Sequence, residues 1–328
     1  MDRNKQGYFV ISLDFELYWG IRDKKSVDEY GQNIKGVWSA VPRLLQMFEK
    51  YNLHATWAVV GAMLSKDKED FQKYIPEIKP KYIDENLSPY GEFYKGLADI
   101  EDLYVYGNEL VQKVIEYNGQ EIGTHTFSHY YCLENKKDRG SFFSDLTSAI
   151  KISEDNGIKI KTIIFPRHQV NENYLKGIKK HDIYIYRGTE KIWYHSAARG
   201  QDEGIVKRAF RYVDYFIKIG SHHCQNIEEV KRGDIFQIRA SRWLRPYNKK
   251  NKIFDFLKLN RIKNQMKYAA KNGKIFHLWF HPHDIGINQD ENFKYLEIIF
   301  EYYLELKHKY NFESKNMYEI SEIANGLK

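Results

Sequence analysis

Two carboxylates stand two residues apart in a run that reads as a buried strand, Ile11-Ser12-Leu13-Asp14-Phe15-Glu16-Leu17. Strand side chains alternate between faces, so Ile11, Leu13, Phe15 and Leu17 share one side and Ser12, Asp14 and Glu16 the other. That spacing sets the two carboxylates roughly 7 Å apart. Holding two anions in a poorly hydrated interior is costly unless a cation offsets them. A metal ion is the simplest such cation, and the chain carries matching donors. His125 and His129 are four residues apart in His125-Thr126-Phe127-Ser128-His129. On one helical turn this spacing brings both imidazoles to the same side, where they can grip one Zn²⁺ or similar divalent ion. Chance produces the same spacing on surface helices; the acidic pair is what gives it weight here. Two histidines, one carboxylate and an open position make a hydrolytic metal site. Two further clusters, Phe165-Pro166-Arg167-His168 and His281-Pro282-His283-Asp284, add groups able to move protons or pair with carboxylates.

All four clusters lie at or just after the carboxyl end of an expected strand, the edge where loops converge in parallel β/α folds. Strand-like runs cover residues 8–14, 55–60, 121–124, 162–165, 183–186, 235–238 and 275–280. Helical periodicity marks residues 39–51, 108–117, 141–154, 172–180, 257–271 and 292–309, with a short last helix over 316–324. In the first of these, Val41, Leu44, Leu45 and Phe48 recur at helical spacing, and Pro42 falls in the tolerant first turn. The alternation predicts an α/β fold with a parallel sheet, whose strands, about seven of them, close or nearly close into a barrel. Residues 65–106 and 189–233 break the rhythm and are too long for plain connections, so they read as insertions near the active face. With no linker, repeat or low-complexity tract in view, residues 1–328 are expected to form one domain.

Composition narrows the class. Charged residues make up 29% and apolar ones 42% of 328 residues, the balance of a globular protein rather than a disordered one. The net charge of +7, from 51 basic and 44 acidic residues, is too mild for a nucleic-acid signature. It permits attraction to anionic head groups or phosphorylated substrates. Cys132 and Cys224 form no CxxC pair, which fits a reducing compartment. The first residues lack an apolar signal segment and no run nears ~18 apolar residues, so the expectation is a cytoplasmic protein with room for peripheral membrane contact. His222-His223-Cys224 is a rival metal cluster, but neighbours on an extended chain point to opposite faces and chelate poorly. Trp19, Trp279 and the many tyrosines suit stacking on sugar rings, but packing in the core or the cleft wall is the better explanation.

In their order along the chain, these motifs resemble the polysaccharide deacetylases, the NodB-homology group or carbohydrate esterase family 4. The family's acidic pair on strand one corresponds to Ser12-Leu13-Asp14-Phe15-Glu16, followed by a similar segment, Asn52-Leu53-His54-Ala55-Thr56-Trp57-Ala58-Val59-Val60-Gly61. Its H-[ST]-x-x-H motif corresponds to His125-Thr126-Phe127-Ser128-His129, preceded by Glu121-Ile122-Gly123, and its last motif to Leu278-Trp279-Phe280-His281-Pro282. The resemblance implies a deformed (β/α)7-type barrel. It also implies that Glu16, His125 and His129 hold a divalent ion, most simply Zn²⁺. Asp14 would be the base that activates water, His281 the acid that protonates the departing amine, and Arg167 the partner that keeps Asp14 ionised. Three departures stand out. Glu16 is one methylene longer than the family's aspartate. Pro166 precedes Arg167 rather than following it. The acidic motif that fixes the acid histidine is not visible in Ile183-Tyr184-Ile185-Tyr186-Arg187-Gly188, leaving Asp284 as a local substitute.

The implied activity is hydrolysis of an N-acyl group, most simply acetyl, from an amino sugar. Absence of a signal segment favours a nucleotide-linked or lipid-linked precursor in surface-polysaccharide or lipopolysaccharide biosynthesis. Two other readings remain: a catalytically silent carbohydrate-binding member of the same fold, and a retaining glycosidase using Asp14 and Glu16. The last is disfavoured because such pairs flank a sugar at ~5–5.5 Å from different strands.

Overall fold

The computed structural model describes residues 5–196, 199, 202–249 and 254–327. Its strands are β1 (Gly7–Phe15), β2 (Ala55–Val59), β3 (Gln120–Thr124), β4 (Thr162–Ile163), β5 (Ile185–Gly188), β6 (Gln225–Asn226), β7 (Lys231–Arg232), β8 (Ile235–Arg239), β9 (Arg242–Trp243), β10 (Lys274–Phe280) and β11 (Phe312–Ser314). They form one sheet in the order β6-β10-β1-β2-β3-β4-β5-β8-β7, with β11 beside β1 and β9 beside β10. The run from β10 through β1 to β5 and β8 is parallel throughout. Antiparallel pairing is confined to β6 and β7 at the two edges. The sheet curls. Consecutive residues 235–243 pair with β5 through β8 and with β10 through β9, so one segment spans both ends of the arc. The result is the curled half-barrel of a deformed β/α barrel.

β1 is the axis of the arrangement. All nine of its residues are buried, as expected of a strand covered on both faces. Asp14 aligns with Ala58 of β2, and Ser12 with Trp279 of β10. The first helix, Val27–Tyr51, begins twelve residues before the expected 39–51. Ser26 and Glu29 form a capping box at its start, and buried Ile34 and Val37 continue the apolar stripe upstream. Gly36 explains why that helix lies so close to the site: a Cβ there would fall 1.9 Å from the Gly286 carbonyl oxygen. Asn33 on the same helix donates to the His283 carbonyl at 3.2 Å. The helix thus carries the turn that follows β10.

Short helices fill residues 65–106, at Lys68–Gln72, Glu92–Gly96 and Asp102–Val105. Residues 189–233 carry the helix Ile205–Asp214 with β6 and β7. Among the described residues, no helix is long and apolar enough to cross a membrane.

Candidate active site

Glu16 follows the last residue of β1, and Leu17 takes a positive φ of 42° that turns the chain away behind it. The Glu16 carboxylate points at two imidazoles: Oε2 lies 3.3 Å from His125 Nε2 and 3.1 Å from His129 Nε2. Ligand atoms at ~2.0–2.1 Å from a tetrahedral ion stand about 3.3 Å from each other, so this trio has the separations of a ligand set. His125 Nδ1 lies 2.8 Å from the Ile164 carbonyl, which only accepts, so Nδ1 carries the proton and Nε2 offers its lone pair. Burial holds His129 in its neutral form, with its pKa lowered to about 4. Burial opposes ionisation of Glu16, yet the charge of the nearby His281 keeps its carboxyl well below the usual range. An anionic oxygen and two neutral nitrogens fit a divalent cation.

The expected helical turn over His125–His129 does not form. The stretch is a loop, with Thr126 and His129 at φ of 65° and 59°. Asp145, on the Arg139–Asp155 helix, imposes this shape by accepting from the Phe127 amide at 2.8 Å, the Ser128 amide at 3.2 Å and the Ser128 hydroxyl. Tyr130 N donates to Thr126 Oγ1 at 2.7 Å. The two rings still meet, with centroids 5.1 Å apart.

Gly20 has no sequence-level signal but matters here. A Cβ on it would fall 2.0 Å from the Glu16 carboxylate. Gly20→Ala is expected to fold, because a carboxylate can swing aside, but to lose ten-fold or more in affinity for a divalent ion. Metal titration of the variant with a competing chelator checks this, and unchanged affinity would clear Gly20 of any part in the site.

Asp14 meets a guanidinium that sequence reading missed. Arg187 of β5 donates from Nη1 and Nη2 to the two oxygens of Asp14 at 2.7 Å each, and from Nη1 to Ser12 Oγ at 3.0 Å. Both partners are buried, and β5 and β1 are separated by three strands, so Arg187 reaches across the interior of the arc. Its guanidinium lies 4.6 Å from the Trp279 ring centroid. Burial alone would raise the Asp14 pKa, but the charge of Arg187 and its two hydrogen bonds hold it well below the usual carboxylate range.

Arg167 does not pair with Asp14. It donates instead to Asp23, at 2.7 and 2.5 Å, and lies over the Tyr131 ring at 4.3 Å. Arg167 and His168 both take φ of 53° in the turn after β4. Arg167 so placed meets Asp23, while His168 Nε2 comes within 3.4 Å of Arg187.

His281 follows the last residue of β10 and faces both carboxylates, with Nε2 3.9 Å from Asp14 Oδ2 and 3.8 Å from Glu16 Oε1. Nδ1 donates to Asp284 Oδ2 at 2.8 Å, and Trp243 Nε1 donates to the same oxygen at 3.2 Å. Burial would lower the His281 pKa, but the Asp284, Glu16 and Asp14 carboxylates raise it to about 9. The same neighbourhood therefore holds a protonated imidazole beside a neutral one. His283 stacks on His281 with centroids 4.8 Å apart and brings Nε2 to 3.9 Å from Glu16 Oε1.

The rival His222-His223-Cys224 trio does not converge. His222 stacks on Tyr268, Cys224 points toward backbone carbonyls, and His223 faces Asp214 at 3.2 Å. His195, Asp214 and His223 do come together, but Arg242 and Arg261 donate to the two Asp214 oxygens at 2.9 and 3.1 Å. Two guanidinium groups already neutralise that carboxylate. Beside His281 opens a cleft of about 420 Å³ whose walls include Lys24, Arg167, Arg211, Trp243 and Trp279.

Residues 35–186 match the family model for polysaccharide deacetylase. That segment contains His125, His129 and Arg167; Asp14, Glu16, Arg187 and His281 lie outside it. No curated protein matches the sequence. Among solved structures, the chain is similar to a candidate polysaccharide deacetylase from Mycobacterium smegmatis, at 13% identity and a TM-score of 0.62, covering 99% of this chain and 92% of that one. A second candidate deacetylase, from Pseudomonas aeruginosa PAO1, matches at 12% identity and a TM-score of 0.54 over 96% and 89% of the two chains. PuuE allantoinase matches at 10% identity and a TM-score of 0.53 over 99% and 92%. At such identities the likeness is one of fold, and the fold does not select a substrate. The family match spans just under half of the chain, and the chain as a whole shares the fold of the two candidate deacetylases.

Proposed function

We propose that this protein is a metal-dependent hydrolase that removes an N-acyl group, most simply acetyl, from an amino sugar. The observation that carries the reading is the position of His281, within 3.9 Å of Asp14 and 3.8 Å of Glu16, with an ionised partner behind each proton-moving group. Glu16, His125 and His129 would hold the divalent ion, most simply zinc. Such an ion supplies Lewis acidity, making a water acidic enough to attack and polarising the acyl oxygen. Asp14 takes the proton of the attacking water; Arg187 keeps it ionised and fixes its orientation. His281 delivers a proton to the amine nitrogen as the bond to the acyl carbon breaks, and Asp284 holds the ring for that transfer. His168 and Trp279 enclose the Arg187 side of the site, with centroids 4.5 Å apart.

The cleft beside His281 supports a substrate that carries negative charge. Lys24, Arg167 and Arg211 line it, offset by Glu190 and Glu203. Arg167 and Arg211 are engaged by Asp23 and Glu203, whereas Lys24 has no carboxylate within ion-pair distance among the described residues. This favours a phosphate-bearing precursor, nucleotide-linked or lipid-linked, of a surface polysaccharide or lipopolysaccharide.

The test is an acyl-release assay on a panel of N-acylated sugar nucleotides and lipid-linked sugars, run with chelator and again after a divalent ion is restored. Release that appears only with the ion is expected; release that ignores it would reject the reading. His281→Ala is expected to slow amides far more than activated esters, whose leaving groups need no proton. Equal losses on both would remove His281 from the acid role.

A further inference from the structure

The Ile205–Asp214 helix is inside out for a protein surface. An amphipathic surface helix normally buries its apolar stripe and exposes its charges. Here the inward residues are polar. Asp214 is buried under Arg242 and Arg261, Arg211 pairs with Glu203, and Lys207 donates to the Ser196 carbonyl. The outward residues are apolar: Ile205 is 77% exposed, Val206 63% and Val213 41%, and Ile217 in the turn beyond is 58% exposed. At 100° per residue these four fall within an arc of ~120°. Leu257, 37% exposed, extends the patch beside Ile217. More than half of the exposed large apolar side chains of the described residues lie between Trp193 and Leu257.

The rim of the patch is basic. Phe216, Ile217 and Leu257 share a groove of about 510 Å³ with Lys218, Lys267 and Lys271, and none of its lining residues is acidic. Arg208 is exposed on the helix itself. Large apolar side chains flanked by cations match a bilayer's own layering, acyl chains beneath anionic head groups. We propose that this face is a docking surface for an anionic lipid membrane, with the helix lying in the interface. The polar side of the same helix lines the active-site cleft through Arg211, with Tyr215 just beyond its end, so docking opens the cleft at the level of the head groups. That consequence rests on the proposed function and selects the lipid-linked class of substrate; the docking itself does not depend on it.

The experiment is co-sedimentation of the purified chain with phosphatidylcholine vesicles and with vesicles containing phosphatidylglycerol, without any sugar substrate. Binding is expected with the anionic vesicles, ten-fold or more weaker with neutral ones, and reduced by salt. Val206→Glu with Val213→Glu, and separately Lys267→Glu with Lys271→Glu, should each weaken it ten-fold or more. Both double variants should keep wild-type thermal unfolding and wild-type turnover of a soluble N-acylated sugar. No binding to anionic vesicles, or binding indifferent to both pairs of changes, would overturn the proposal. So would a dimer that Val213→Glu dissociates, which would assign the face to a second copy of the chain. Because vesicle binding is read without turnover, its failure is distinct from failure of the hydrolase reading.

Discussion

Replacing Asp14 by asparagine is expected to cut turnover by about 10²–10⁴-fold, the usual span for losing a general base. The ion should stay, because its expected ligands are Glu16, His125 and His129, none of which the change touches. Asparagine keeps one acceptor for Arg187 but leaves the guanidinium without a counter-charge in a buried setting. Breaking a buried pair from one side costs about 3–5 kcal/mol, so a lower melting temperature should accompany the loss. Metal content by elemental analysis, turnover and thermal unfolding, measured on one preparation, separate these effects. Turnover within ten-fold of wild type would show that Asp14 is not the base. Loss of the ion would show instead that Asp14 is one of its ligands.

Arg187→Met is the second large change. It removes the cation that most strongly lowers the Asp14 pKa, leaving burial to raise it. A base must be ionised to act, so the acidic limb of kcat/KM should move to higher pH. Stability should shift in the same sense. A carboxyl depressed in the folded state contributes stability above its unfolded pKa, near 3.9, and loses it as pH falls through the folded value. Without Arg187 that contribution disappears, and stability at neutral pH should fall by about 3–5 kcal/mol. Arg187→Lys restores charge but not the two-pronged geometry, so it should recover part of the pH profile and less of the turnover. A pH profile unchanged in Arg187→Met would leave Arg187 a purely structural group.

Arg187 also shows where sequence reading stops. The seven parallel strands were visible because nearly all-apolar runs alternate with helical periodicity. The clusters at their carboxyl ends followed from that edge being where loops meet. Strands of two residues such as β6, β7 and β9 fall below any periodicity. Arg187 sits at the end of Ile183-Tyr184-Ile185-Tyr186, and nothing nearby in the chain supplies its anion. Its partner is 173 positions away and meets it only after the sheet curls. The usable signal was its burial: an arginine ending an apolar strand needs a carboxylate, and the β1 pair was the candidate. Motif order pointed to Arg167 instead, whose turn carries it to Asp23. His125 and His129 were paired by a helical argument, yet a loop pinned by Asp145 brings them together. Asp284 was legible because its contact with His281 is local.

The inverted helix at Ile205–Asp214 lay hidden for a related reason. Its periodicity shows an amphipathic segment, but only the fold tells which side faces the protein. The polar side is claimed by Arg242 and Arg261, from β9 and the Asp255–Asn272 helix.

Anomalous diffraction at the zinc edge, on crystals grown with one equivalent of Zn²⁺, tests the central claim most directly. A single peak is predicted, within about 2.0–2.2 Å of Glu16, His125 and His129, with the Asp14–Arg187 pair intact beside it. A peak at His195, Asp214 and His223 instead, or none at Glu16, would contradict the account.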